Sequence, residues 1–404
     1  MDLIKLSWKN LAHKPLNTVL SLLLFGLGVG LVIFLLLVQT QVQDKFDKNL
    51  AGIDLVIGAK GSPLQLILCS MYHIDSPTGN ISLEEAGPFM RPGHPLIGKA
   101  VPLSLGDNYK GYRIVGTTHD LVGLYGDSIA EGKLWEAPME VSIGANIAHE
   151  LGLKIGDTFQ SAHGLVNDET LEHSDADGFH VVGILAPTGS VIDQLILTAT
   201  ESIWQVHEGH EEEGHEEEAA QERQITSLLV QFKSKTNFQA LNMARGINEN
   251  TNLQAASPGW EISRVRDQLG LGMGALQALA YIIVAVSALS IFISLFSSLR
   301  ERRYELSLMR VMGASRSKLF ALIVMEGIML ASLGFLLGFV LSHLSMQLLA
   351  GFMHDSYRYT FTGMNFLQAE LYVLAGALLT GFLAALPPAV QASRTDISKT
   401  LSGS

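Results

Sequence analysis

Residues 17–38 read NTVLSLLLFGLGVGLVIFLLLV, an uncharged apolar run of 22 residues. A helix of about 20 residues crosses a hydrocarbon core of about 30 Å, so this run is long enough to span a bilayer. Its length and continuity, with no small-residue cleavage pattern after it, set it apart from a removable leader. Three more segments are long and apolar enough to cross: Ala275–Leu299, Leu319–Leu341 and Leu371–Val390. Glycines recur within all but the second of these four segments, at Gly26, Gly28 and Gly30, at Gly327, Gly334 and Gly338, and at Gly376 and Gly381. Small residues let helix backbones approach closely in lipid, so these positions are expected to be helix–helix contacts.

Composition agrees with a bilayer protein. Hydrophobic residues make up 48% of the 404 residues and charged residues only 16%, against roughly 25% charged in soluble domains. The net charge of −12 is unevenly spread. From Asp44 to Asp267 there are 32 acidic and 15 basic residues, whereas the rest of the chain has 7 and 12. An acidic soluble portion inside a basic membrane portion disfavours a nucleic-acid partner, because it would repel phosphate. A single cysteine, Cys69, excludes an internal disulfide framework and multi-cysteine metal sites, and a packed thiol is expected.

Lysine and arginine mark the sides. Lys5, Lys9 and Lys14 precede the first span, and Arg300, Arg302, Arg303, Arg310, Arg316 and Lys318 lie between the second and third. Arg394 and Lys399 follow the fourth, while the link between the third and fourth has only Arg358. Both termini are therefore expected in the cytoplasm, with the insert outside. The resulting fold class is a membrane α-helical protein of four transmembrane helices, with a large α+β extracytoplasmic domain inserted between helices 1 and 2. The expected divisions are 1–38, 39–273 and 274–404.

Within the insert, Val42, Phe46 and Leu50, and again Ile262, Val265 and Leu269, stand on single helical faces. They read as stalks extending the first two spans, or as ordinary surface helices. Strands are expected at Asp54–Ile57, Tyr112–Thr117, Glu140–Ile143, His180–Ile184, Gln194–Leu197 and Ser227–Phe232, with helices at Gly144–Leu151 and Asn237–Asn250. Turn signals such as Pro77-Thr78-Gly79-Asn80 separate them. The run from His207 to Glu218 has too little apolar content to bury itself and reads as a loop. His207, His210 and His215 within it admit two readings, a solvated acidic loop or a weak metal-collecting loop for an ion such as zinc. A second acidic and histidine cluster, from His163 to His180, lies upstream. No HExxH spacing and no paired nucleophile and base are present, which argues against an enzyme.

The link between the second and third spans reads ERRYELSLMRVMGAS over residues 301–315. Leu306, Met309 and Met312 suggest an apolar stripe beside charged Arg302, Arg303 and Glu305. Gly313 suits a helix terminus, and Ser315 suits a cap for the next helix. Glu326 falls about two turns into the third span, where a charge is expensive, and it is expected either to snorkel or to hydrogen-bond within the bundle. His343, near that span's outer end, reads as interfacial.

This link, followed by Lys318 and Glu326-Gly327, resembles the FtsX/MacB-type ABC permease family, whose signature is approximately R-E-R-x-x-E-[IL]-[AG]-[LIV]-[LM]-[RK]-x-[LIVM]-G-[AM]-[ST]. The opening Leu6-Ser7-Trp8-Lys9-Asn10-Leu11 and the tail Ala392-Ser393-Arg394-Thr395-Asp396 resemble the family's end motifs, with Ile397 standing where proline is usual. The stretch DLVIGAKGSPLQ from Asp54 to Gln65 resembles a subfamily of such permeases. The resemblance implies that residues 300–317 form a coupling helix docking on a separate ATPase, with Glu305, Leu306, Met309, Arg310 and Gly313 as the contact set. It further implies a bacterial plasma (inner) membrane location and a permease homodimer. Companions outside the membrane would be a binding protein or an outer-membrane partner, and ATP and magnesium would sit at the partner ATPase. Gly58-Ala59-Lys60-Gly61-Ser62 lacks the GxxxxGK[ST] spacing of a phosphate loop, so no nucleotide is expected here. The alternative within the family is a non-transporting regulator that activates an extracytoplasmic hydrolase.

Overall fold

The structure, a computed structural model, describes residues 3–13, 15–126, 128–163, 178–208, 223–234, 236–357 and 360–394. Helix α1 (Leu3–His13) is followed by α2 (Pro15–Leu50), which Pro15 opens. Proline fits a first helical position because its missing N–H has no partner there in any case. The inserted segment runs β1 (Leu55–Ala59), α3 (Pro63–Met71), β2 (Ile81–Ser82), α4 (Leu83–Met90), β3 (Ile97–Tyr109), β4 (Tyr112–Thr117), α5 (Asp120–Leu124), β5 (Ile129–Gly132) and β6 (Glu140–Ile143). It continues with α6 (Ala145–Leu151), β7 (Thr158–Phe159), β8 (Ala162–His163), β9 (Phe179–Leu185), β10 (Ile196–Ala199), α7 (Thr200–Glu208), β11 (Gln224–Ile225), β12 (Ser227–Phe232), α8 (Phe238–Asn250) and β13 (Leu253–Ala256). Then come α9 (Pro258–Glu301), α10 (Arg303–Val311), α11 (Arg316–Tyr357) and α12 (Ala369–Ser393).

Two compact units result, a helical one built on Met1–Val42, Gln268–Ser356 and Thr360–Ser404, and an inserted one built on Gln43–Asp267. In the helical unit, α2, α9, α11 and α12 are long and apolar enough to cross a membrane. Their shared core contains Phe25, Val29, Ile33 and Leu37 of α2, Ile291 and Leu295 of α9, Leu330 and Phe335 of α11, and Ala377 and Ala385 of α12. Glycines set the closest approaches. A Cβ on Gly327 would lie 2.8 Å from the Gly381 carbonyl oxygen, and one on Gly381 2.7 Å from that of Gly327. Gly376, expected at a contact, instead has nothing within 4 Å of its would-be Cβ. Helical periodicity explains the difference, since five residues from Gly376 to Gly381 turn the helix by roughly 500°, away from the shared face.

In the inserted unit, nine strands run in the order β13-β1-β12-β3-β4-β10-β6-β9-β5, with β7 paired to β9 and β8 to β3. Most pairs are antiparallel, while β10–β4 and β6–β9 are parallel. Strand β3 joins two lobes: Ile97–Leu103 pairs with β12, and Ser104–Tyr109 pairs with β4 across a register shift between Leu105 and Asn108. One apolar core gathers Leu55, Ile57, Leu228, Val230 and Ile247. The other gathers Ile114, Val141, Ile143, Phe179 and Ile196.

Both long connections enter this sheet side by side. Helix α2 ends four residues before β1, and β13 is followed by α9 after Ser257 alone. Strands β1 and β13 are antiparallel neighbours, with Val56 opposite Ala256 at the end nearest the helices. The last turns of α2 are also fixed to the domain. Asn49 Oδ1 accepts from the Val191 amide at 2.7 Å, Lys45 Nζ donates to the Gly189 carbonyl at 3.1 Å, and Phe46 meets Tyr72 edge to face. Asp193 shapes the receiving turn by accepting from the Thr188 and Gly189 amides.

Two sequence features prove structural. Lys60 donates to the carbonyls of Asn248, Thr251 and Leu253, closing the C-terminal end of α8 where helix carbonyls lack partners. Cys69 is buried against the Arg113 guanidinium at 3.8 Å, and desolvation pushes its thiol pKa up although Arg113 opposes the shift.

Candidate functional site

The turn between α9 and α11 is built as a rigid knuckle. Helix α10 stops in a Schellman arrangement: the Ala314 amide donates to the Met309 carbonyl at 3.0 Å, and the Gly313 amide to the Arg310 carbonyl at 3.1 Å. Gly313 has φ +98°, a left-handed conformation that costs glycine nothing. Ser315 Oγ then accepts from the Lys318 amide at 3.3 Å, capping the start of α11.

Helix α10 has two apolar faces. Leu306, 1% exposed, is buried with Leu299, Leu319, Leu322, Ile323, Ala389 and Ala392, and Met309 packs against that cluster. Arg310 Nη1 donates to the Ser393 carbonyl at 3.5 Å, tying the helix to the end of α12. Arg302, just before α10, pairs with Glu326 at 3.3 Å and with Glu305 at 3.4 Å. The other face is open: Tyr304 is 61%, Leu308 44%, Val311 59% and Met312 73% exposed. Glu305 and Gly313 share that exposure.

The expected stripe of Leu306, Met309 and Met312 is therefore split. A step of three residues falls about 60° short of a full turn, so Met312 stands about 120° from Leu306. Tyr304, Leu308 and Val311, spaced i, i+4, i+7, line the open face beside Met312.

Glu326 is 1% exposed and hydrogen-bonds within the bundle, with Oε1 accepting from Asn10 Nδ2 at 2.6 Å and from Arg302. His343 is half-buried, its Nδ1 2.6 Å from the Gly363 carbonyl and its Nε2 3.5 Å from Glu370. Among the described residues no group of three or more histidine, cysteine, aspartate or glutamate side chains is placed to hold a metal. His210 and His215 lie outside the described residues, and His207 is described only as backbone in α7.

Four long apolar helices, a large mixed-sheet domain between the first and second, and a fixed knuckle between the second and third are the parts of a multi-pass membrane protein. The family model of the FtsX-like permease C-terminal domain matches residues 278–397, and that of the MacB-like periplasmic core domain matches residues 18–244. No curated protein matches the chain. The chain belongs to the FtsX/MacB-type family of ABC transporter permeases.

Proposed function

We propose that this permease carries motion from a separate ATPase, docked at α10, to work done by its inserted domain on the far side of a bacterial inner membrane. The open apolar face of α10 carries this reading. Tyr304, Leu308, Val311 and Met312 form a patch on a helix locked from behind by Leu306, Arg302 and Arg310. An amphipathic helix of this kind suits a groove in a partner protein. A rigid backing lets a push on the patch move the long helices instead of bending the knuckle.

The contact set is Tyr304, Glu305, Leu308, Val311 and Met312, with Leu306, Met309 and Arg310 serving as its backing. Lysine and arginine distribution supports a cytoplasmic knuckle and termini. The direct attachment of α2 and α9 to β1 and β13 supports transmission into the domain. Two copies acting with a pair of ATPase subunits, and cargo handled outside the membrane, complete the proposal. That cargo would be a lipoprotein, peptide, lipid or small molecule.

Co-expression with candidate ABC ATPase subunits from the same organism, then purification through the permease, tests the reading. The wild-type chain is expected to retain an ATPase, and Leu308→Glu with Val311→Glu to lose it. Equal retention by both would end the assignment of this face.

A further inference from the structure

One buried oxygen serves two separate elements. Glu326 Oε1, in α11, accepts from Asn10 Nδ2 of α1 at 2.6 Å and from Arg302 Nη1, at the head of α10, at 3.3 Å. A carboxylate at this depth is tolerable only when its charge and lone pairs are met, so both donors are needed. Arg302 is held in turn, with Nη1 3.5 Å from Ser298 Oγ and Nε 3.4 Å from Glu305 Oε2. The polar tie runs beside an apolar one: Leu3 and Leu6 of α1 pack against the same cluster as Leu306 and Met309. Helix α1 thus touches the backing of α10 by both kinds of contact, although roughly 290 residues separate them in sequence.

We infer that Glu326 is a positioning residue that fastens the N-terminal helix α1 to α10, so that the two move as one body. This inference deepens the docking reading above and assigns α1 a place in it. Asn10 and Arg302 do not pair with each other; each reaches the other's helix through the same oxygen. Loosening either donor leaves Oε1 half satisfied and weakens the seat of the other. The exposed side of α1 carries Ile4, Trp8, Lys5 and Lys9. Motion at α10 would therefore shift a second surface with its own apolar and basic groups.

Hydrogen exchange on the full chain in nanodiscs, without any ATPase, tests the fastening. Asn10→Ala changes a half-buried residue whose side-chain amide donates to Glu326 of α11. It is expected to speed amide exchange across residues 303–311 by about tenfold, alongside α1 itself. Arg302→Gln is expected to speed exchange across residues 3–13 likewise, and the double variant to do little more than either alone. Faster exchange confined to the mutated helix, or fully additive effects, would overturn the inference. Should Glu326→Gln fail to fold, the Asn10 and Arg302 variants still decide the question. Loss of ATPase retention with reciprocal exchange intact would remove the docking reading and leave the fastening standing.

Discussion

Gly30 and Gly338 meet across α2 and α11 with no room for a side chain. A Cβ on Gly30 would stand 2.9 Å from the Gly338 carbonyl oxygen, and one on Gly338 would stand 2.8 Å from the Gly30 amide nitrogen. The obstacles are backbone atoms, which cannot rotate away as a side-chain tip could. Gly338→Ala is expected to destabilise the helical unit by about 1–3 kcal/mol, as overpacking does. Gly376→Ala, with open space around it, is expected to be neutral or stabilising by up to about 1 kcal/mol through helix propensity. Thermal unfolding of the two variants in detergent measures the contrast.

Neighbouring leucines of α10 should separate by role. Leu306→Ala leaves a cavity in a closed cluster and is expected to cost about 2–5 kcal/mol of stability. Leu308→Ala removes an open side chain and is expected to change stability by less than about 0.5 kcal/mol. ATPase affinity should fall about tenfold or more if Leu308 is an anchor of the interface. Unfolding curves and titration with the ATPase report the two effects independently.

The Asn49–Val191 hydrogen bond fixes the end of α2 to its receiving turn. Asn49→Ala would leave the buried Val191 amide without this acceptor, a loss of about 1–3 kcal/mol. Hydrogen exchange should rise first at residues 187–194 and only slightly at β4 or β10. Unchanged exchange at that turn would show that the remaining contacts hold it alone.

Acid should loosen the inserted domain through His73. Burial, reinforced by the Arg113 charge, pushes its pKa down to about 3, so the folded protein keeps the imidazole neutral. Unfolding returns it to an ordinary value near ~6.5, and the unfolded chain then binds a proton that the folded one refuses. Stability is therefore complete above about pH 6.5 and falls by up to about 1.4 kcal/mol per pH unit as pH drops toward ~3. His73→Asn, which tolerates the residue's φ of +53°, is expected to flatten this dependence in chemical denaturation between pH 7 and 4.

Much of this architecture can be read from residue order, and the exceptions share a cause. The long helices follow from long apolar runs, and the strands Tyr112–Thr117, Glu140–Ile143 and Ser227–Phe232 from short stretches rich in β-branched, aromatic and leucine residues whose side chains are mostly buried. Strand β3 was hidden because Gly98, Pro102 and Gly106 punctuate it; pairing on both sides and a register shift make it continuous. The short β13 carries no pattern of its own and exists because β1 lies beside it. At the knuckle, the presence of a helix and its glycine stop were legible. Which side faced inward was not, because both faces of α10 are apolar and the choice belongs to α11 and α12. Glu326 was legible as an exception, whereas Asn10, more than 300 residues away, was not.

The ribbon of β1 and β13 has a mechanical corollary. Because both helices join it at the Val56–Ala256 end, spreading them would open the ladder one rung at a time, as a zip opens from its slider. Drawing them along a common axis would carry both strands together and leave every rung intact. The β1–β13 pair would thus be strong to a common pull and weak to a splay.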